Sequence, residues 1–220
     1  MSELFSIQLQ NRQQQGRDGI WLDLPTTTEQ VQAALRQIGI SSDNPQGLFI
    51  SGYFAEEEKR FAIPYNMVLA SNVDELNFLA SRLETLSTGE RAELNAALQA
   101  PQSELFSIGR ITDFPENVDY YVHLPDVHGP AQLGDYYLNR SGMVDMPEEW
   151  KGGIDTAQFG RYVAQQEQGA FTQYGYLVKS GDEWQKVHEG QPVPEEYRVL
   201  SFPAPEVLRD SANIPPPVQP

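Results

Sequence analysis

The strongest constraint on the fold is a short stretch of sequence that occurs twice, about 100 residues apart. The hexapeptide SELFSI occupies residues 2–7 and again residues 103–108. A second matched pair, WLDLP at residues 21–25 and YVHLP at residues 121–125, follows about 15 residues after each copy. Each piece concentrates apolar, β-branched or aromatic residues over a few positions, and the second pair ends at proline, which is typical of strands. The repeat therefore predicts two similar units that both begin with strands.

A helix and a closing strand are predicted to follow the strands of each unit. In the first unit the capping-box pattern Thr26-x-x-Glu29 precedes apolar residues at helical spacing up to Gly39, namely Val31, Leu35 and Ile38. In the second unit Gly142 ends a helix predicted from Leu133, Tyr136 and Tyr137. The closing strands are predicted at residues 48–54 and 170–178.

The stretch between the two units carries the clearest helical pattern in the chain. Asn72-x-x-Glu75 and Ser87-x-x-Glu90 are two further capping boxes, and Pro101 stops the second helix. One face of the first helix is apolar and needs a surface against which to pack, through Leu76, Leu79, Leu83 and Leu86. Neighbouring units of the same chain or a second subunit could provide that surface.

These patterns predict an α+β fold, elongated, with two small sheet-plus-helix units flanking a helical middle segment. The predicted divisions are an N-terminal α+β unit, a helical middle domain, a C-terminal α+β unit and a Pro-rich flexible tail, at residues 1–64, 65–101, 102–200 and 201–220.

Composition narrows the class of protein. Hydrophobic residues at 40% are too frequent for a disordered polyanion. The absence of cysteine excludes a disulfide scaffold, a thiolate zinc site and a cysteine nucleophile. No signal-peptide pattern and no run of about 18 apolar residues is present, so we expect a soluble, cytoplasmic protein.

The chain is acidic along its whole length. Its 31 Asp and Glu residues outnumber 15 Lys and Arg, which gives a formal charge of −16. The balance is −6 over residues 1–100, −9 over residues 101–200 and −1 over the last 20 residues. Such a body repels nucleic acid and attracts proteins that bind nucleic acid, although acidity also serves solubility alone. At one phosphate charge per 1.7 Å of duplex axis, −16 equals the charge of about 8 base pairs.

Enzymatic patterns are weak. His123, Asp126 and His128 are three possible metal ligands within six residues, and they define a metal-hydrolase hypothesis. A second group of ligands is missing from the sequence, and His123 takes the place of the strand residue Asp23 in the repeat. Phosphate-binding, nucleophile-elbow and zinc-protease motifs are absent as well. We therefore predict no enzymatic activity, no metal and no cofactor.

Several segments, in order, resemble the ArdA-type antirestriction proteins of plasmids and conjugative elements. The resemblance covers roughly residues 19–178. Its best-matched pieces are GIWLDLP at 19–25, VDELNFLASRLE at 73–84, LGDYYL at 133–138, MPEE at 146–149 and IDTAQFGRY at 154–162. No single piece is specific, and it is their order and content together that carry the resemblance.

The resemblance implies a mimic of bent B-form DNA. Family members are elongated, three-domain α+β proteins that form dimers and occupy the DNA-binding groove of Type I restriction–modification enzymes, chiefly the specificity and methyltransferase subunits. It also implies that acids in the matched segments replace phosphates: Asp23, Glu29, Asp74, Glu75, Glu84, Asp119, Asp126, Asp135, Asp145, Glu148, Glu149 and Asp155. In the family, the segment at 73–84 is associated with dimer formation, for which the leucines at 76, 79, 83 and 86 are candidates, as they are for packing between domains.

Two features depart from the family. Typical members are more acidic for their length, and residues after 178 have no counterpart that we recognise. The alternative hypothesis is an acidic adaptor or regulator that binds one specific protein through an apolar patch, and its affinity would survive high salt.

Overall fold

The computed structural model describes residues 4–14, 18–56 and 61–205 of the chain. These residues form helices and two small antiparallel sheets, which confirms the α+β class. Residues 2 and 3 of the first repeat copy and residues 206–220 of the Pro-rich segment lie outside the described residues.

The first sheet has three antiparallel strands in the order β2-β1-β3. Strand β1 is Phe5–Asn11, β2 is Ile20–Leu24 and β3 is Leu48–Phe54, so all three strands predicted in this unit are confirmed. Every second side chain of the central strand is buried, beginning with Phe5, as expected for a sheet that covers a core with one face.

Helix α1, Thr28–Gln37, packs against this sheet, but its cap was predicted one residue too early. Thr27, not Thr26, is the N-cap, and it forms the capping box with Gln30. Thr26 is buried instead, and its N–H donates to Asn77 Oδ1 at 2.7 Å. Two adjacent threonines offer the same local signal, and a tertiary hydrogen bond selects between them. The end of the helix is as predicted, with Gly39 at φ +66°.

The middle segment is helical as predicted. Helix α2 is Tyr65–Leu69, α3 is Val73–Glu84 and α4 is Thr88–Gln99. Both predicted capping boxes are present, with Asn72 and Ser87 as the N-caps of α3 and α4. Reciprocal side-chain bonds to the first free N–H groups define where each helix begins.

The second copy of SELFSI is not a strand, and that prediction was wrong. Ser107 caps a short helix α5, Ile108–Thr112, by accepting from the backbone N–H of Arg110. Ile108 and Ile111 lie three residues apart, and both are buried on one side of this helix. The same hexapeptide is therefore part of a strand at its first occurrence and leads into a helix at its second.

The second sheet is antiparallel with the order β4-β6-β5. Its strands are β4, Tyr121–Leu124, β5, Ala170–Thr172, and β6, Gly175–Lys179. The predicted YVHLP strand is confirmed. The single closing strand predicted at residues 170–178 is instead two antiparallel strands joined by a turn.

Three helices lie between β4 and β5. Helix α6 is Pro130–Asp135 and runs into a π-helical turn, Tyr136–Arg140, and the shorter α7 is Glu148–Lys151. Helix α8, Thr156–Glu167, crosses α6 so closely that a Cβ atom at Gly160 would lie 1.8 Å from the Pro130 carbonyl oxygen. Glycine is required there because the two backbones meet without room for a side chain.

One large hydrophobic cluster includes side chains from all three predicted segments, from Leu4 to Val199. A smaller cluster around Leu133 and Tyr176 lies under the second sheet. The predicted boundaries near residues 64 and 101 fall between elements that share the large core, and they stay a prediction.

Residues 185–203, which we call the C-terminal strap, return from the second sheet across α3 towards the first unit. Apart from one turn of 3-10 helix at Glu195–Tyr197 the strap has no regular secondary structure, yet Val199 belongs to the main core. Within the described residues, no helix is long and apolar enough to cross a bilayer.

Candidate partner-binding surface

The twelve acids predicted to face a partner divide by exposure. Eight have exposed side chains: Asp23, Glu29, Asp119, Asp126, Asp145, Glu148, Glu149 and Asp155. Four are half-buried: Asp74, Glu75, Glu84 and Asp135. Exposure is necessary for a carboxylate to meet a cationic partner, so the exposed group contains the stronger candidates.

Most of these acids lie in one stretch, residues 119–155, which we call the C-terminal acidic segment. It contains seven acids and two bases, hence a net charge of −5. Its acids come from the ends of short elements: Asp126 follows β4, Asp135 ends α6, Glu148 and Glu149 begin α7, and Asp155 caps α8. Element ends place side chains at the surface, where polar groups replace the missing backbone partners.

Both bases of this segment are paired inside it. Arg140 Nη2 lies 3.4 Å from Asp135 Oδ2, and Lys151 Nζ lies 2.6 Å from Glu148 Oε1. The two bases of the segment therefore neutralise two of its seven acids. The other five acids are exposed, and they keep an attraction for cations that depends on salt.

Asp155 and Glu29 also have local roles at helix N-termini. Asp155 Oδ1 accepts from the backbone N–H of Gln158 at 2.9 Å. A hydrogen bond from the backbone and one from the Thr27 side chain lower the pKa of Glu29. A carboxylate at a helix start is held in place without losing its exposed face.

The acids of α3 are engaged within the chain. Asp74 Oδ1 accepts two backbone N–H bonds from the strap, from Val199 and Leu200, both at 2.7 Å. Glu75 Oε2 accepts from the Asn72 N–H as part of the capping box. Asp74 Oδ1 therefore holds the strap against α3.

The leucine face of α3 points into the protein. Leu76, Leu79 and Leu83 are fully buried and belong to the main core. Leu86, predicted on the same helix, follows the end of α3 at Glu84, and it is nearly fully buried in the same core. The chain itself therefore supplies the packing surface for these leucines.

Other side chains offer apolar surface. Met143 and Trp150, within the C-terminal acidic segment, are 74% and 67% exposed, and Trp21 and Phe54 stack edge-to-face on the open side of the first sheet. Large exposed side chains of this kind commonly mark contact surfaces.

One acid with an unusual charge state lies outside the predicted set. Burial raises the pKa of Glu93 to about 8, with further contributions from the neighbouring charges of Glu90 and Asp119. Its Oε1 is buried, and no described residue forms a hydrogen bond with it. Glu93 on α4 is therefore largely neutral at pH 7, a state that no local sequence signal indicates.

The residues of the metal-hydrolase hypothesis do not form a ligand group. His123 lies on β4, and its Nε2 is 2.7 Å from the carbonyl oxygen of Tyr174, while Asp126 and His128 are exposed. Across residues 4–14, 18–56 and 61–205, no three His, Asp or Glu side chains are grouped as a metal ion would require.

A Tyr–Glu–Tyr group, of which Tyr176 is buried and the other two residues are half-buried, has a structural role. The Glu167 carboxylate on α8 accepts from the hydroxyls of Tyr137 and Tyr176, the latter at 3.0 Å. Burial, together with this carboxylate, raises the pKa of both tyrosines. The group ties α8 to the second sheet, because each buried polar atom needs a partner.

Further exposed acids lie beyond the predicted set, just before the strap and in its 3-10 turn. Asp182, Glu183, Glu195 and Glu196 are all exposed. The acidic pairs are visible in the sequence, but nothing local indicates which way the strap turns them.

A family model described as antirestriction protein (ArdA) matches residues 15–178, about three quarters of the chain. No curated protein matches the chain. The matched range ends within β6 and so excludes the strap.

Proposed function

The chain belongs to the ArdA family of antirestriction proteins, and from that premise we propose that it mimics B-form DNA. In this proposal it occupies the DNA-binding groove of a Type I restriction–modification enzyme, on the specificity and methyltransferase subunits. It acts by binding and not by catalysis, in the cytoplasm of a cell that carries a mobile genetic element.

The observation that carries the proposal is the C-terminal acidic segment. Five of its seven acids are exposed and form no ion pair with any described residue, while its two bases are already paired. Lys and Arg residues that normally contact phosphates would meet these carboxylates in their place. Binding then releases counterions from both surfaces, so affinity must fall steeply as salt rises.

The proposal includes a dimer, as the family resemblance implies. A net charge of −16 equals that of about 8 base pairs, and two copies would equal about 16. Because the leucines of α3 are buried, we propose that such a dimer uses exposed apolar side chains. Trp21 and Phe54 are candidates, since both are exposed and their rings are in contact with each other.

The experiment is displacement of duplex DNA from a Type I methyltransferase core, titrated from low to high salt. One variant neutralises four acids of the segment, Asp119, Asp126, Asp145 and Glu149, to Asn or Gln. The matched control neutralises four exposed acids elsewhere: Asp182, Glu183, Glu195 and Glu196. Both variants change the net charge equally, so a difference between them reports position and not total charge.

We expect the segment variant to lose at least about ten-fold in displacement and to show a shallower fall of log K with log salt, because it makes fewer ionic contacts. The control should lose much less. Full displacement by the segment variant would refute the placement of the mimicking surface. Failure of the unaltered protein to displace DNA at low salt would refute mimicry itself.

The exposed Met143 and Trp150 favour one second candidate, an adaptor that binds a single protein through an apolar patch. An apolar contact keeps its affinity when surface charges are screened. Binding that persists in high salt and is lost on Trp150→Ser would support the adaptor.

A further inference from the structure

We propose that the C-terminal strap is a built-in clasp that holds the first sheet unit, α3 and α5 in one fixed arrangement. The strap lies beyond the range that the family model matches. Its effect on inhibition rests on the proposed function, whereas its effect on the fold does not.

The first anchor joins the strap to the residues that follow α5. Asp113 is completely buried, and its carboxylate accepts backbone N–H bonds from Val187, His188 and Glu189 at 3.3, 2.6 and 3.2 Å. Asn117 is also buried, and it binds both the N–H and the carbonyl of Gln185, at 2.7 and 3.0 Å. Buried polar side chains are costly unless they are paired, and here the strap provides the partners.

The second anchor is on α3. Asp74 accepts the N–H groups of two strap residues, as described above. Asn77, also buried, links three parts of the chain, because its Oδ1 accepts from Thr26 N–H at 2.7 Å and its Nδ2 donates to the Tyr197 carbonyl at 3.0 Å. One amide thus connects the first unit, α3 and the strap.

Ring contacts reinforce the anchor on α3. Phe78 packs against His188 and Tyr197 of the strap, with ring centroids 4.9 and 4.7 Å apart. Aromatic pairs of this kind contribute stability beyond that of the apolar area that they bury.

The third anchor is on the first unit. The Ser42 N–H donates to the Pro203 carbonyl at 2.9 Å, and Gln32 Nε2 on α1 donates to Ser201 Oγ at 3.1 Å. The strap begins after the second sheet, crosses α3 and ends against α1, so it connects the two units a second time. A segment without a ladder of its own can be ordered in this way when side chains satisfy its backbone.

The test is to cut the strap free and ask whether it stays bound. A protease site inserted between Gly181 and Asp182, both exposed, allows the folded full-length protein to be cleaved in place. We expect the two fragments to co-elute, and we expect slow exchange of the cut piece against a labelled synthetic peptide of residues 182–220. Rapid exchange, or separation without denaturant, would overturn the clasp.

Asp113→Asn in the cleaved protein tests the first anchor. The substituted amide must turn an NH2 group towards backbone donors, so we expect exchange about ten- to a hundred-fold faster. Asp126→Asn removes the same charge from an exposed position and should leave the exchange rate unchanged. Equal rates in both variants would show that the Asp113 carboxylate does not anchor the strap.

The displacement assay separates this inference from the proposed function. If the uncut protein displaces DNA and removal of the cut fragment abolishes displacement, the clasp positions the acids. If the cut piece stays bound but the uncut protein displaces nothing, the clasp stands and mimicry fails. If the cut piece leaves freely and displacement is unchanged, the clasp fails and mimicry stands.

Discussion

Replacing Glu93 with glutamine should stabilise the protein at alkaline pH and leave its stability at acidic pH unchanged. Burial first, then Glu90 and Asp119, raises the pKa of this carboxyl from 4.5 to about 8. Below pH 4.5 the group is protonated in both the folded and the unfolded chain, so it contributes no difference. Between pH 4.5 and about 8 only the folded chain keeps the proton, so the free energy of unfolding falls as the pH rises, and the loss is complete above about pH 8.

The size of the effect follows from the same values. At 1.36 kcal/mol for each pKa unit, a change from 4.5 to about 8 corresponds to an upper limit of about 5 kcal/mol. The side chain of Glu93 is only half-buried, so solvent screening reduces this to about 2 kcal/mol. That is about 4–8 °C in Tm for a chain of this size.

The assay is urea unfolding at pH 4, 7 and 9. Glu93→Gln removes the charge and keeps the volume, so the variant should exceed the parent by about 2 kcal/mol at pH 9 and match it at pH 4. Glu196→Gln removes one charge from an exposed position and should stay within about 0.5 kcal/mol of the parent throughout. Equal stabilisation by Glu93→Gln at pH 4 and pH 9, or none at pH 9, would refute the reasoning.

Three further substitutions test the packing of the fold by thermal or urea unfolding. Gly160→Ala should lower the free energy of unfolding by about 3 kcal/mol, because the new Cβ would overlap a carbonyl oxygen of α6. Gly152→Ala is the control and should be nearly neutral, since a Cβ at that position meets nothing within 4 Å. Similar losses for both variants would contradict the close crossing of α6 and α8. Asn77→Ala leaves two backbone groups unpaired and should cost about 3 kcal/mol, so a cost below about 1 kcal/mol would show that the link is not important. Lys179, with a smaller contribution from Arg110, lowers the pKa of Glu104. Glu104→Gln should therefore destabilise the protein by less than about 1 kcal/mol at neutral pH, and this difference should vanish as the pH falls through the lowered pKa. A difference in stability that persists at pH 2 would exclude the ion pairs as its cause.

The candidate surface could be predicted from sequence only as a set of acids. Family resemblance selected twelve, and the fold then separates them. Asp145 and Glu149 are exposed and form no ion pair with any described residue, while Asp74 binds the strap. Chemically similar carboxylates differ in their availability to a partner, because backbone N–H groups of the distant strap bind Asp74 and do not bind Asp145 or Glu149. The strength of each acid as a phosphate substitute stays a prediction.

The sequence by itself determined the elements whose signals are local. The capping boxes at Asn72 and Ser87 and the strand from Ile20 to Leu24 form as predicted, because the groups that define them lie within a few residues of one another. Tertiary structure alone decided that the second SELFSI copy enters a helix, that Thr27 caps α1 in place of Thr26, and that Glu93 holds a proton near neutral pH. These outcomes depend on burial and on hydrogen bonds between residues far apart in the chain, such as the bond from Thr26 to Asn77, and no local pattern contains that information.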